Sequence, residues 1–179
     1  MFIFETERLK IRRYSLDDCD RFYQLSGSEE VMRYIRPIIS KADSDKSLVQ
    51  NIHQYTQQPN TGRWAMFEKD TGNFVGSFSI LVMDSDKTRL HIGYALLPPF
   101  WGRGLASEVL RHGINFFFNN HSAATLYAIT EHANTGSQKV LLKCGFLYHT
   151  TQKEGEKEVF IYVLNRHENS VNEQDANAG

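Results

Sequence analysis

The residues best suited to chemistry are two glycines that precede the longest helical pattern of the chain. Gly102 and Gly104 stand between an apolar, strand-like stretch that ends near Leu97 and a helical pattern over 103–118. The first turn of a helix offers backbone N–H groups without intrahelical partners, at the positive end of the helix dipole. Glycine lets an anion approach such a backbone closely, so this spacing predicts a pyrophosphate site. The simpler alternative is a turn without a ligand, in which Arg103 points to solvent instead of to a phosphate.

A second group of polar residues lies at the start of a short helical pattern over 137–144. Asn134 suits either a helix cap or a contact with a ligand, because its amide both donates and accepts hydrogen bonds. Ser137 is either a first-turn serine or a hydroxyl that supplies a proton during catalysis. Cys144 has no identifiable histidine partner that would activate it as a nucleophile, so we expect it to pack in the core.

A histidine in a strand pattern is a candidate general base. His91 alternates with Gly93 and Ala95, which places the three on one face of a strand over 89–97. Imidazole accepts a proton near neutral pH. The alternatives are a structural role for His91, and a base supplied by Glu131 or His132 at the end of the next strand pattern.

The elements that position these residues follow from the spacing of apolar residues. Alternation at Leu9 and Ile11 predicts an opening strand, and Ser15 is predicted to cap the first helix. The fold class is therefore α/β (α+β), a single domain with a mixed central sheet, an antiparallel N-terminal meander, a parallel β-α-β unit and a C-terminal hairpin. Further helices are predicted over 29–35, 44–55, 103–118 and 137–144, and further strands over 63–68, 73–83, 89–97, 125–130, 146–151 and 158–164.

Length and charge limit the number of domains and the kinds of partner. The chain has 179 residues, with 20 Lys and Arg against 21 Asp and Glu, so we expect one domain over 1–164 and a polar, disordered tail over 165–179. The near balance of charge offers no basic field for nucleic acid, and no apolar run approaches the roughly 20 residues of a membrane span. Cys19 and Cys144 form no Cys-x-x-Cys pair, so we expect no metal site and a cytoplasmic monomer or homodimer.

The run over 92–108 resembles the cofactor-binding motif of the GNAT superfamily of N-acetyltransferases. Trp101, Gly104 and Ala106 occupy its first, central and last positions. The family pattern begins with Gln or Arg, and the tryptophan looks like a variant from the branch of ribosomal-protein alanine N-acetyltransferases. The run over 134–146 is similar to the family's Asn-x-x-Ser, short helix and Gly-Phe segment, and the run over 5–12 resembles the opening strand of that branch. The resemblance covers about 5–164.

This resemblance implies an enzyme that moves the acetyl group of acetyl-CoA directly to a primary amine, either a protein N-terminal α-amine or the amine of a small molecule. It also implies free backbone N–H groups before the glycine loop, with the Leu97 N–H as the best donor to the thioester oxygen. Leu141 stands where several relatives carry a tyrosine that protonates the thiolate, so Ser137 is the expected substitute. The implied catalytic residues are His91 and Ser137, and the implied cofactor-binding residues are Leu96, Leu97, Pro98, Trp101, Gly102, Arg103, Gly104, Leu105, Ala106, Asn134 and Ser137.

Two other functions compete with acetyl transfer. A dinucleotide-dependent oxidoreductase would need a third glycine where Ser107 stands, and further parallel units where a meander is predicted. A non-catalytic acyl-CoA-binding or sensory module is favoured by the leucine at the tyrosine position. We expect the acceptor pocket to come from the early helices and the last hairpin, with contributions from Arg33, Tyr34, Trp64 and Tyr148.

Overall fold

Eight strands form one sheet in this computed structural model, which describes residues 1–155 and 157–166. Their order across the sheet is β1-β2-β3-β4-β5-β6-β8-β7. The pairing is antiparallel everywhere except between β5 and β6, which are parallel. The predicted mixed sheet, with its meander, its β-α-β unit and its closing hairpin, is therefore confirmed. The strands are β1 Phe2–Glu5, β2 Leu9–Arg13, β3 Gly62–Glu68, β4 Phe74–Val82, β5 Leu90–Leu96, β6 Thr125–Glu131, β7 Leu147–Glu154 and β8 Lys157–Asn165; the helices are α1 Cys19–Ser26, α2 Glu29–Met32, α3 Lys41–Gln57, α4 Leu105–Asn120 and α5 Thr135–Lys143.

Helices cover both faces of the sheet, and side-chain alternation along β5 separates the two layers. Ile92 and Leu96 belong to the larger apolar cluster, which contains the buried residues of α4 and α5. Ala95 instead packs against a second cluster that contains buried residues of α1, α2 and α3, among them Met32, and Leu97, just beyond β5, packs against both clusters. Odd-numbered residues of β5 therefore face α1–α3, and even-numbered residues face α4 and α5.

Helix α4 forms because its apolar residues recur on one face. Val109, Leu110 and Phe117 on this face are completely buried. Gly113 lies on the same face, where an added Cβ would come within 2.4 Å of the Phe78 ring, so only glycine lets the helix sit this close to the sheet.

The N-terminal region contains one more strand than the sequence predicted. Phe4 pairs with Ile11, so the chain makes a hairpin of β1 and β2 instead of a single opening strand. The turn is closed by a hydrogen bond from the Thr6 N–H to the Leu9 carbonyl, at 2.9 Å. Ser15 caps a short 3₁₀ turn, and α1 begins four residues later at Cys19.

The folded region extends past the predicted boundary at Leu164. Asn165 is the last residue of β8 and pairs with Thr125. Arg166 donates hydrogen bonds to the carbonyls of Phe118, His121 and Ala123, at 2.7, 2.6 and 3.1 Å. Placing these two residues in the tail was therefore wrong, because Arg166 satisfies carbonyls at the C-terminal end of α4. The predicted disorder over 167–179 lies outside the described residues.

Replacing Arg166 with alanine is expected to destabilise the fold. The three carbonyls would lose a charged donor, which corresponds to about 1–3 kcal/mol of unfolding free energy. Urea denaturation would measure the loss. Arg111→Ala, at an exposed position of α4, is the control and should leave the midpoint nearly unchanged. Equal midpoints for the two variants would contradict the capping role.

Within the described residues, no helix is both long and apolar enough to cross a membrane.

Candidate cofactor and acceptor site

The glycine loop presents backbone N–H groups at the start of α4. Gly102 and Gly104 have φ values of 71° and 79°, a left-handed conformation that favours glycine. The first intrahelical hydrogen bond runs from the Glu108 N–H to the Gly104 carbonyl. The N–H groups of the three residues between them therefore lack helical acceptors and can bind an anion.

Trp101 connects this loop to the end of β5. Its indole N–H donates to the Leu96 carbonyl at 2.6 Å, while 46% of the residue stays exposed. The tryptophan, which departs from the Gln or Arg of the family pattern, therefore positions the loop with a side-chain donor of its own.

The N-terminal hairpin clamps the same loop. Glu108, on the first turn of α4, accepts hydrogen bonds from the Thr6 hydroxyl and from the Arg8 backbone N–H, the latter at 2.8 Å. The Arg8 guanidinium pairs with Glu108 at 2.6 Å and donates to the Arg103 carbonyl at 3.0 Å. Arg103 itself pairs with Glu68 at 2.6 Å. The guanidinium groups of Arg8 and Arg103 thus both lie at the glycine loop, and the Glu68 carboxylate holds the Arg103 side chain.

The parallel strands separate beyond a short region of pairing. β5 pairs with β6 only at His91 with Tyr127 and at Ile92 with Ala128, although β5 continues to Leu96 and β6 to Glu131. The two diverging ends form the notch, by which we mean the space between 93–96 and 129–131.

The predicted oxyanion donor is wrong. The Leu97 N–H donates to the Val75 carbonyl of β4 at 2.9 Å, so it is already engaged. Hydrogen bonds of an antiparallel strand alternate between its two sides, and the N–H groups of Tyr94 and Leu96 consequently face the notch. The Leu96 N–H is the donor nearest the glycine loop.

On the side of the sheet that carries α5, three hydroxyl groups lie near the notch. The Tyr94 hydroxyl is 3.3 Å from Ser137 Oγ, and burial raises the pKa of Tyr94 to about 12. The Asn134 amide oxygen accepts from the Ser137 N–H at 3.1 Å, so Asn134 caps α5. Thr130, on β6, is buried and its hydroxyl has no hydrogen-bond partner within the described residues. A polar ligand in the notch could satisfy it.

Two candidate bases, His91 and Glu131, lie on the opposite side of the notch, whereas His132 lies with Phe160 on the side that carries α5. Burial, with a further contribution from the nearby Arg63, lowers the pKa of His91 to about 4. His91 is therefore neutral at pH 7 but weakly basic. Glu131 is paired with Lys157, and His132 packs edge-on against Phe160 with ring centroids 4.9 Å apart.

The lowered pKa of His91 predicts an acid-sensitive fold. Because the folded-state pKa of about 4 lies below the ordinary value of 6.5, the unfolded chain binds the proton first. Stability should therefore fall as the pH drops from about 6.5 to about 4, by about 1.4 kcal/mol per pH unit at most. In urea titrations at several pH values, His91→Gln should flatten this dependence. His112→Gln, at an exposed position of α4, should not, and identical slopes for both variants would contradict the prediction.

A cavity of about 300 Å³ lies between α2 and the last hairpin, where the acceptor pocket was expected. Arg33 lines it, as does Lys157 at the start of β8. Tyr148 is 53% exposed on β7. Trp64, in contrast, is completely buried in the cluster beneath α4, so its expected place in the pocket is wrong.

Sequence reasoning missed several residues of this site. Tyr94 falls within the run used for the family resemblance, and alternation alone assigns it to the face opposite His91. Arg8 likewise belongs to a quoted run, but nothing in the sequence joins it to α4. Thr130, Arg63 and Arg36, which also lines the cavity, have no local signal, since their importance depends on contacts between distant segments.

Known proteins resemble this chain in both sequence and fold. The family model for the acetyltransferase (GNAT) domain matches residues 8–147. The uncharacterized N-acetyltransferase YoaA of Bacillus subtilis is 27% identical over 161 residues, which are 89% of this chain and 88% of the relative. The uncharacterized N-acetyltransferase p20 of Bacillus licheniformis is 30% identical over 152 residues, which are 84% of this chain and 82% of the relative. A solved structure of the ribosomal L7/L12 alpha-N-protein acetyltransferase RimL in complex with coenzyme A shares the fold, with a TM-score of 0.78 and 17% identity over 92% of this chain and 98% of that chain.

Proposed function

This chain belongs to the GNAT acetyltransferase domain family, and from that premise we propose that it transfers the acetyl group of acetyl-CoA directly to a primary amine. The observation that carries the proposal is that two features of the structure lie side by side. The glycine loop supplies a phosphate site at the start of α4, and the notch opens beside it at the C-terminal end of β5.

In this proposal the pyrophosphate of CoA binds the backbone N–H groups of the glycine loop. The loop residues are Trp101, Gly102, Arg103, Gly104, Leu105 and Ala106. Arg8 lies beside Gly104 and adds a positive charge there. The pantetheine arm runs through the notch along Leu96, Leu97 and Pro98, and Thr130 and Asn134 offer it polar groups.

The Leu96 N–H is proposed to stabilise the thioester oxygen as it gains negative charge. A backbone donor held by a sheet needs no reorganisation at that moment, which is why such donors are effective in catalysis. The amine attacks the acetyl carbon, the C–S bond breaks, and the sulfur leaves as a thiolate. Two proton transfers complete the reaction, one away from the amine and one to the thiolate.

His91 is only a weak acceptor for the proton that leaves the amine. An ammonium with a pKa of about 8, typical of an α-amine, would have to protonate an imidazole with a far lower pKa. His91 is therefore better suited to accept a hydrogen bond than to hold the proton. Glu131, His132 and water remain the other candidate bases, and an α-amine, already partly neutral near pH 8, needs the least help.

The proton that reaches the thiolate is proposed to come from Ser137, assisted by Tyr94. The Tyr94 hydroxyl stays protonated throughout the physiological range because burial raises its pKa. It can therefore donate to Ser137 Oγ while the serine donates to sulfur. This pair replaces the tyrosine that is missing at Leu141, which is buried.

Removing either hydroxyl of this pair should slow turnover. Ser137→Ala and Tyr94→Phe are each expected to lower kcat by about 10- to 100-fold, a typical range for a proton donor. Their double variant should be no slower than the slower single variant, because the two groups act as one unit. Tyr23→Phe on α1 is the control. If the loss of kcat in the double variant equalled the two single losses combined, a shared role would be contradicted. Steady-state kinetics measures kcat, and an unchanged affinity for CoA would exclude misfolding of the variants.

The test of acetyl transfer measures thiol release from acetyl-CoA with a panel of amines, next to a calorimetric titration with CoA. Amine-dependent thiol release, together with an acetylated product in mass spectrometry, is the expected result. Tight CoA binding without turnover for every class of amine would instead support a non-catalytic acyl-CoA-binding module. The cytoplasmic location and the choice between monomer and homodimer stay predictions from the sequence.

A further inference from the structure

The cavity between α2 and the last hairpin adjoins the acetyl-transfer site. Met32 lines the cavity and belongs to the same apolar cluster as Ala95 and Leu97 of the β5 end. Lys157 lines the opposite wall and pairs with Glu131 at the end of β6. The cavity is therefore joined to the end of β6 by a direct ion pair, and it shares an apolar cluster with the end of β5.

The charge of this cavity is positive. Arg33, Arg36 and Lys157 line it, against the acidic residue Glu29. Glu131 neutralises Lys157. In the part of the chain that the structure describes, Arg33 and Arg36 form no ion pair, so two cations are left facing one carboxylate.

A third arginine extends the positive charge toward the notch. Arg63 on β3 lies opposite Ser79 of β4, and Ser79 lies opposite Gly93 of β5. Residues directly opposite each other in antiparallel strands project to the same face. Ser79 has a small side chain and Gly93 has none, so neither residue places a long side chain between Arg63 and the notch.

The positive charge of Arg36 acts unfavourably on the positive charge of Arg63. Arg63 is exposed at the surface, but desolvation by the neighbouring protein, together with the charge of Arg36, lowers its pKa. Burial also lowers the pKa of Arg36. Asp84 is the acidic group that acts on Arg63, but it is fully exposed and pairs with Lys87. Neighbouring cations without a counter-ion are unfavourable, and an anion between them would relieve the repulsion.

We infer that the acceptor carries an anionic group, a carboxylate or a phosphate, on the same molecule as the amine, and that Arg36 and Arg63 bind that group. Guanidinium binds both kinds of oxyanion through paired N–H donors. The anion would rest in the cavity while the amine reaches past Gly93 to the acetyl carbon in the notch. A polyamine, which carries only positive charge, would be repelled. This inference rests on the proposed acetyl transfer and specifies its substrate class.

Matched pairs of acceptors test the inference. Glycyl-glutamate α-amide and glycyl-glutamine α-amide share one α-amine and differ by a single carboxylate. O-Phosphoethanolamine and ethanolamine form the corresponding phosphate pair, and spermidine is the polycation. For the wild-type protein, kcat/KM is expected to be at least tenfold higher for the anionic member of one pair, and that pair identifies the source of the anion. An equal or higher kcat/KM for both neutral members, or for spermidine, would overturn the inference and leave acetyl transfer intact.

Variants that each remove one positive charge then test whether Arg36 and Arg63 bind the anionic group. Arg36→Gln and Arg63→Gln should raise KM for the preferred anionic acceptor at least tenfold, with kcat/KM for its neutral partner and KM for acetyl-CoA nearly unchanged. Lys46→Gln removes a charge from an exposed position of α3 that pairs with Asp43 and should change neither. If both arginine variants keep the anion preference, the assignment is overturned. If wild type turns over no amine at all, acetyl transfer itself fails, and the inference fails with it.

Discussion

Gly104→Asp is expected to weaken CoA binding by at least about 100-fold while the protein stays folded. The carboxylate would stand at the N-terminus of α4, where the pyrophosphate is proposed to bind, and two like charges about 4 Å apart in a partly desolvated site repel by several kcal/mol. A loss of about 2.7 kcal/mol already corresponds to 100-fold in affinity. Isothermal titration with CoA measures the change.

The fold should tolerate this substitution for two reasons. An added Cβ at Gly104 would meet only the Arg8 guanidinium, at 3.6 Å, which is an ordinary contact distance. Aspartate also accepts the left-handed conformation and suits a helix N-cap.

Two control variants separate charge from backbone strain. Gly104→Ala introduces the same strain at φ 79° without charge. Gly72→Asp introduces charge at a similar φ of 70° in the turn between β3 and β4, where an added Cβ meets no atom within 4 Å. Both should retain most of the CoA affinity. Unchanged affinity in Gly104→Asp would place the phosphate site elsewhere on the protein.

Asp18→Ala is expected to lower the free energy of unfolding by about 3 kcal/mol. Asp18 is completely buried and binds Arg12 at 2.6 and 2.8 Å and Arg21 at 3.0 Å. It also accepts from the Ser15 N–H at 2.9 Å. Arg12 and Arg21 stay partly exposed, at 29% and 44% of their side-chain surface, so the expected loss comes from the charge-assisted hydrogen bonds that Asp18 accepts. The network joins the end of β2 to the start of α1.

Urea denaturation at neutral pH and at acidic pH measures the contribution of Asp18 to the free energy of unfolding. Burial alone would raise its pKa, but the hydrogen bonds from Arg12, Ser15 and Arg21 lower it from 3.8 to about 2. Its contribution to stability is therefore complete above about pH 4 and is lost as the pH falls toward 2. Asp70→Ala, at an exposed position in the turn between β3 and β4, is the control and should leave the midpoint nearly unchanged. A wild-type midpoint in Asp18→Ala would show that the network adds nothing.

The sequence by itself determined the order and type of the elements that carry the cofactor loop. The glycines before α4 are local signals, because left-handed backbone and free helical N–H groups depend on adjacent residues only. The apolar stripe of α4 and the alternation of β5 are equally local, and both were predicted. The family resemblance rests on these same segments.

The tertiary structure alone decided which groups face the reacting atoms. The Leu97 N–H looked available from the sequence, but the pairing of β4 with β5 engages it and turns the Leu96 N–H toward the notch. The contact of Tyr94 with Ser137 spans 43 positions of sequence, and the charge of Arg36 acts on Arg63, which belongs to a different element of the fold. Such contacts depend on strand register and helix packing, which place residues together through the free energy of the whole core and leave no pattern in the neighbouring sequence.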